Sequence, residues 1–441
     1  MNGDSVRRAV FITATEPEPR RYGKPVVIGG ILDHLCDRLG PENVHLVLVG
    51  RPEAERPDVP YHRHVLAKPG TVEQATSVLK NVVLPPQLRA RLTGDTTAGH
   101  RHPLQEAVLH SAGLSDQIGA LLEQINPDLE VWDTVRMGQY VDGRSRRVSP
   151  PVRRILYADD LFSERYAAML AESESGGATG NPGGEFVKLL PGPAKRLLAS
   201  PKVHRPLLRL ERDLVAASES RQPSWFDATY LISPEETARL QARVPGAEIG
   251  TLPPLLREPR SLARNYTGAP EFTFIGGFDY APNRDGLDWF LTACRHSVLL
   301  ELPDIVINVI GAGTDAGLPS AEAWGGAVRF LGWVDDLDAV LATSAALLSP
   351  LRTGSGVKIK VLEALARGLP VIATPAGVQG IEGGEQSGCL IGDSPVQLAT
   401  ALRRATDPAY NQELSTAARL AWDTRYSPAV VRKRYDEIFG L

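Results

Sequence analysis

Cysteine is scarce in these 441 residues. The three present, Cys36, Cys294 and Cys389, are scattered and odd in number, with no CxxC or histidine-rich pair beside them. That pattern argues against a disulfide framework and against a structural zinc site. Long apolar runs are missing too. No stretch approaches the roughly 18 residues needed to span a bilayer, and the N-terminal MNGDSVRRAVFITATEPEPR has no continuous hydrophobic core of signal-peptide length. A cytoplasmic location is therefore expected. An excess of positive charge is also lacking: Lys and Arg total 48 against 52 Asp and Glu, a formal charge of −4. This leaves no basic footprint for general nucleic-acid binding. The first strand–helix turn, ATEPEPRRYGKPVVIGG, carries no GxGxxG, which a nicotinamide-dependent dehydrogenase needs there.

What the chain does have is alternation. Its length favours two domains, and its abundant Arg, Pro, Ala and Gly with 3 Met fit a GC-rich bacterial genome. Short β-branched runs predict strands at 9–13, 44–49, 128–132, 154–158 and 228–233. A second series is predicted at 272–277, 305–311, 328–332, 345–350, 370–374 and 389–392. Helix-like segments such as 26–39, 71–80, 115–126, 285–296 and 357–367 lie between them. Strand–helix alternation gives parallel sheets covered by helices on both faces, so the fold class is α/β with two doubly wound, Rossmann-like domains. The crevice at the carboxyl ends of the strands, between the domains, is the expected ligand site. Residues 253–271, rich in Pro and polar groups, read as the linker. ESESGGATGNPGG (172–184) reads as a mobile loop within an insert spanning about 170–220. The following segment, 186–210, carries Lys188, Lys195, Arg196, Lys202, Arg205 and Arg209 without an acid. It reads either as a peripheral contact with anionic lipid or an acidic substrate, or as a helical flap with a solvated basic face. Prolines 191, 193, 201 and 206 argue against one long helix there.

The chemistry concentrates in SPLRTGSGVKIKVLEALARGLPVIAT (349–374). Glycines let backbone N–H groups approach a ligand, and a helix N-terminus favours an anion. Gly354–Ser355–Gly356 before a helix therefore suits a diphosphate, with Arg352, Lys358 and Lys360 adding charge-assisted hydrogen bonds. Glu363 shares a helix face with Lys360. It reads either as that lysine's ion-pair partner or as an acceptor for two ribose hydroxyls. Asp335 and Asp336 in WVDDL are adjacent, not spaced as DxD, and read as a helix start.

Together with FTFIGGFDYAPNRDGLDWFL (272–291), INVIGAG (307–313) and the run 328–381, this stretch resembles the C-terminal domain of retaining GT-B nucleotide-sugar glycosyltransferases. That large family includes sucrose synthase and the bacterial mannosyltransferases. The likeness extends to GKPVVIGGILDHLCDRL (23–39), similar to the family's N-terminal glycine loop and following helix, and to WDTRYSPAVVRKRYDEIF (422–439), similar to its closing helix. The resemblance implies an acceptor-binding domain over 1–262, a nucleotide-sugar domain over 263–420 and a returning helix over 421–441, with the two domains facing a central cleft.

It also implies roles by position. Glu363 matches the glutamate that binds the donor ribose, and Lys360 a lysine that faces the diphosphate. Gly354, Ser355, Gly356 and Val357 match the loop at the sugar and phosphate. Gly276 and Gly277 match the first donor turn, Gly311 a turn near the base and ribose, and Gly332, Trp333 and Val334 the segment packed on the nucleobase. The family's first glutamate is replaced by Ser355, its usual arginine by Gly277, and its following lysine falls near Asn283–Arg284. Arg352, Lys358 and Lys360, with Arg284, are expected to restore the charge. On the acceptor side the resemblance points to Gly29, Gly30, Asp133, Asp159 and Asp160. The last two stand where the family has a histidine–aspartate pair. They either position an acceptor hydroxyl or amine or cap the segment that follows.

The implied reaction transfers sugar from a nucleoside-diphosphate sugar, such as a UDP- or GDP-sugar, with anomeric retention. Lys360 and Arg352 would act at the leaving group and Asp160 at the acceptor. No cofactor and no divalent metal are required. A small polar acceptor is the first expectation, and a lipid-linked or polysaccharide acceptor the second. A non-catalytic GT-B binding subunit and a GT-B sugar-nucleotide epimerase using Asp133, Asp159 and Asp160 are the remaining alternatives.

Overall fold

The computed structural model describes residues 6–20, 23–50, 58–84, 101–141, 152–174, 201–259, 264–354 and 356–441. These carry two separate parallel sheets. The first contains β1 (Ala9–Thr13), β2 (Val44–Gly50), β3 (His62–Ala67), β4 (Leu129–Asp133), β5 (Arg153–Asp159), β6 (Ala228–Leu231) and β7 (Ile249–Thr251). Their spatial order is β3-β2-β1-β4-β5-β6-β7. The second contains β8 (Glu271–Ile275), β9 (Val306–Ile310), β10 (Val328–Gly332), β11 (Ala346–Ser349), β12 (Val371–Ala373) and β13 (Cys389–Ile391). Their order is β10-β9-β8-β11-β12-β13.

The central strands read as unbroken apolar runs because helices cover both faces. Every residue of β1 is buried, and Val10, Ile12, Trp132 and Leu156 enter one core. Phe272, Phe274, Phe290 and Leu348 enter the other. Each such side chain contributes roughly 2 kcal/mol by leaving water. Each sheet reverses direction once. The chain builds outward from β1 to β3 and returns to place β4 beside β1. It builds outward from β8 to β10 and returns to place β11 beside β8. Ligands of open parallel sheets bind at such a reversal, past the carboxyl ends of the two strands.

The chain divides into two compact units, Met1–Pro254 with Arg432–Leu441, and Leu255–Val431. The divisions at 254/255 and 431/432 compare with the expected 262/263 and 420/421. The terminal helix is Pro428–Phe439. Its Tyr435 hydroxyl donates to the Pro253 carbonyl at 2.8 Å, within the first unit.

The insert expected over about 170–220 is corrected in its second half. Residues 175–200, including Lys188, Lys195 and Arg196, lie outside the described residues. Pro201–Arg221, however, is a single helix. Pro201 opens it, where a missing N–H costs nothing, and Pro206 is accommodated one turn later. The helix is anchored by buried polar groups rather than loose. Glu211 accepts from the Leu104 and Gln105 amides at 2.7 and 3.2 Å. Ser218 donates to the fully buried Glu106, and Gln222 donates to the same carboxylate at 3.2 Å.

No helix among the described residues is long and apolar enough to cross a membrane.

Candidate donor and acceptor sites

In the second unit the reversal lies between β8 and β11. The loop after β8 holds Gly276 and Gly277, and the loop after β11 runs from Pro350 to the helix Ile359–Ala366. Lys360, in the first turn of that helix, joins them. Its ammonium donates to the Ile275 carbonyl and to Asn283 Oδ1, both at 3.0 Å, and sits 4.7 Å from the Phe274 ring centroid. Burial, aided by neighbouring Lys358, pushes its pKa down to about 7. The buried Lys358 reaches the Gly356 carbonyl at 2.9 Å. Two cations thus share the mouth of a helix whose cap residue, Lys358, offers its amides no side-chain acceptor.

The glycines here are required by close approach. A Cβ on Gly276 would lie 2.6 Å from the Asn283 side chain, and one on Gly311 2.6 Å from the Gly276 carbonyl. Gly311 N–H in turn donates to the Gly332 carbonyl at 2.8 Å. The ends of β8, β9 and β10 are therefore drawn together. Trp333 projects from that edge, 68% exposed, and Val334 beside it is half-buried.

Glu363 does not pair with Lys360. Among the described residues no donor hydrogen-bonds its carboxylate, while Arg367 reaches only its backbone carbonyl, at 2.9 Å, and pairs with Asp338 at 2.7 Å. Burial, with Asp338 adding and Arg367 opposing, raises the Glu363 pKa.

Two expected cations are elsewhere. Arg284 is exposed and lies against its neighbour Asp285 at 3.4 Å. Its predecessor Asn283 makes the contact to Lys360. Arg352 is exposed, its guanidinium 4.7 Å from the Trp289 ring centroid. Ser355 lies outside the described residues, whereas Gly354, Val357 and Gly356 flank Lys358 in the loop. Asp336 caps the helix Leu337–Thr343, accepting from Ala339 N–H at 3.0 Å.

In the first unit the reversal lies between β1 and β4, and a polar cluster fills it. Lys24, in the first turn of the helix Gly23–Leu39, stands 2.8 Å from Asp133 and 3.3 Å from Asp159. Thr13 donates to Asp133 at 2.6 Å and Tyr157 to Asp159 at 2.9 Å. Thr134 and Asp159 take φ of 64° and 70°, a region that a β-branched residue enters only under constraint. Burial raises the Asp159 pKa, with Lys24 opposing. Asp160, the next residue, pairs with Arg165. Gly29 and Gly30 are not in a loop: both are buried inside the helix Gly23–Leu39. Gly29 makes room for Arg20, which would lie 2.2 Å from a Cβ there and which pairs with Asp33 and Glu18. Lys24, the centre of the cluster, stands in the stretch 23–39 that resembles a glycine loop and its helix, and nothing in that stretch singles it out from its neighbours.

Among the described residues no group of three or more His, Cys, Asp or Glu is arranged to hold a metal ion.

Solved structures match nearly the whole chain. WaaG, a glycosyltransferase involved in lipopolysaccharide biosynthesis, aligns with 98% of this chain and 100% of its own at a TM-score of 0.55 and 15% identity. Sucrose-phosphate synthase from Thermosynechococcus elongatus aligns over 98% of both chains at 0.62 and 14%. The fold is that of the GT-B glycosyltransferases. A further GT-B structure, Anabaena Alr3699/HepE in complex with UDP, aligns with 98% of this chain and 99% of its own at 0.58 and 10%. Residues 269–407, within the second GT-B unit, match the family model described as glycosyl transferases group 1. A curated Klebsiella pneumoniae relative, an uncharacterized 44.6 kDa protein in the cps region, is 29% identical over 114 residues. That match covers 24% of this chain and 29% of the relative.

Proposed function

We propose that this protein transfers a sugar from a nucleoside-diphosphate sugar to an acceptor, with retention at the anomeric carbon. The observation that carries the reading is the presence of Lys360 and Glu363 on one helix at the second unit's switch point, unpaired with each other. Among the described residues the lysine has no carboxylate partner and the carboxylate accepts from no donor. A diphosphate and a ribose supply the complementary groups. Lys358 and Lys360, with the uncapped amides of the helix Ile359–Ala366, would hold the diphosphate and stabilise its departure. Glu363 would accept from the ribose hydroxyls, and Trp333 and Val334 would flank the base. The UDP bound by the Anabaena relative supports this class of donor. We read the leaving group's charge as met by protein cations, with no divalent ion required.

For the acceptor we favour a small polar molecule, held near Asp133 and Asp159. A hydroxyl can donate to a carboxylate there, while Lys24 stands within 2.8 Å of Asp133 and 3.3 Å of Asp159. The substrate's own phosphate oxygen can take the acceptor proton, so no protein nucleophile is needed.

The test is a thermal-shift panel of UDP, GDP, dTDP and ADP and matching sugar nucleotides, with and without EDTA. A nucleotide at 100 times its Kd should stabilise the fold by about 2.7 kcal/mol, and EDTA should leave the shift in place. Silence across the panel from folded protein refutes the donor reading.

A further inference from the structure

Among the described residues, Asn283 is the side chain that hydrogen-bonds the Lys360 ammonium. Its Oδ1 accepts from the ammonium at 3.0 Å while its Nδ2 donates to the Gly277 carbonyl at 3.1 Å. The amide is therefore fixed from both ends, and its orientation follows from the bonds it makes. The backbone is shaped around it at Gly276, where a Cβ would lie 2.6 Å from the Asn283 side chain. This packing fixes a neutral acceptor on Lys360, and a carboxylate of nearly the same shape would turn an oxygen toward the Gly277 carbonyl.

Among the described residues no carboxylate matches the charge of Lys360. On its own helix Glu363 makes no ion pair with it. On the preceding loop Lys358 repels it, and Arg352 lies on Trp289. On the helix Ala281–Ala293, Arg284 and Asp285 pair with each other and Asp288 accepts from Ser320 at 2.7 Å. From β8 only the Ile275 carbonyl and the Phe274 ring reach it.

We propose that Asn283 is a positioning residue for the donor. Its neutral amide aims Lys360 at the switch point without supplying the counter-charge that the diphosphate is to provide. This rests on reading the crevice as a nucleoside-diphosphate site. It has a consequence for protons. Lys360 is held down to about 7, so above that pH it is mostly neutral in the empty site. An arriving diphosphate favours the ammonium, and binding takes up a proton at Lys360 Nζ from solvent.

The experiment is calorimetric titration of UDP, GDP, dTDP and ADP near pH 8 in buffers of different ionisation enthalpy, at which pH the free diphosphates are already ionised. Wild-type protein should take up close to one proton per nucleotide bound, falling as the pH is lowered below about 7. Asn283→Asp supplies the missing carboxylate. It should abolish the uptake and weaken binding roughly tenfold or more. Asn283→Ala removes the aim but not the burial, and should weaken binding while keeping the uptake. Thermal melts establish that both variants are folded. Unchanged affinity and uptake in Asn283→Asp overturns the role of Asn283 while leaving the donor site standing. Absence of binding by the wild-type chain overturns both.

Discussion

Glu363 and Lys24 illustrate two ways in which a single charged side chain is held. Glu363 has a raised pKa and no hydrogen-bond donor among the described residues, so its value is expressed on binding. Glu363→Ala should weaken nucleotide binding by about 2 kcal/mol, the scale of a hydrogen bond to a charged group, with little change in melting temperature. Calorimetry and a melt separate the two. Lys24 is the reverse case. It is the cation beside two acids, and Asp133 is only 1% exposed. Lys24→Met leaves both acids without a counter-charge and should cost about 3 kcal/mol in denaturant unfolding. Asp133→Asn in the same background should recover part of that loss.

These residues also mark how far the sequence could be read. Lys360 and Glu363 were visible because a glycine-rich loop and a helix present them within a few positions. Lys24 meets Asp133 and Asp159 from more than a hundred residues away, and nothing local announces that pairing. That Arg284 lies against Asp285 while its neighbour Asn283 reaches Lys360 has a geometric reason. Adjacent helical residues point about 100° apart, and the register of the helix Ala281–Ala293 is invisible without its neighbours.

At the scale of elements, strands with an apolar run were legible, and polar or very short ones were not. The expected strands at 9–13 and 328–332 match β1 and β10 to the residue. The other apolar runs fall within a few residues of their strands. HRHVLA, β3, was missed because it is a sheet edge, where polar residues replace the apolar run. β7 is only three residues, Ile249–Thr251, too short to form a pattern. The helix Pro201–Arg221 was obscured by its prolines.

That helix carries a pH dependence. Burial pushes Glu106, Glu211 and Glu219 up to about 7 from the ordinary 4.5. The folded state then binds more protons than the unfolded chain between those values, so stability falls as pH rises from about 4.5 to about 7. Glu106→Gln keeps an acceptor for Ser218 and Gln222 and removes one titrating group. Its melting temperature relative to wild type should therefore climb across that window. A difference that stays flat with pH would show that Glu106 titrates alike in the folded and unfolded chains.

For the whole molecule the recurring device is one topology used twice. Each sheet doubles back beside its first strand, and each reversal gathers charged side chains. In the second unit, among the described residues, Lys360 bonds only neutral groups and the Glu363 carboxylate accepts from no donor, whereas in the first unit Lys24 is matched to Asp133 and Asp159. The second unit's cluster comes from one stretch of sequence, and the first unit's from residues far apart in the chain. A doubly wound sheet specifies where a ligand goes, but the chemistry resides in loops whose residues come from distant parts of the chain.

The last ten residues belong to the first unit, with Tyr435 and Phe439 fully buried and Asp436 within 3.1 Å of His34. During synthesis this makes the first unit, though started earlier, complete only after the second unit has been made. Its sheet emerges from the ribosome early, yet side chains that close its surface are translated after the whole of the second unit. A chain stopped after Val431 should expose apolar surface and melt earlier than one that runs through Leu441, as dye binding and calorimetry can detect. A chain halted at that point would carry a second unit complete in sequence and a first unit still awaiting its closing helix.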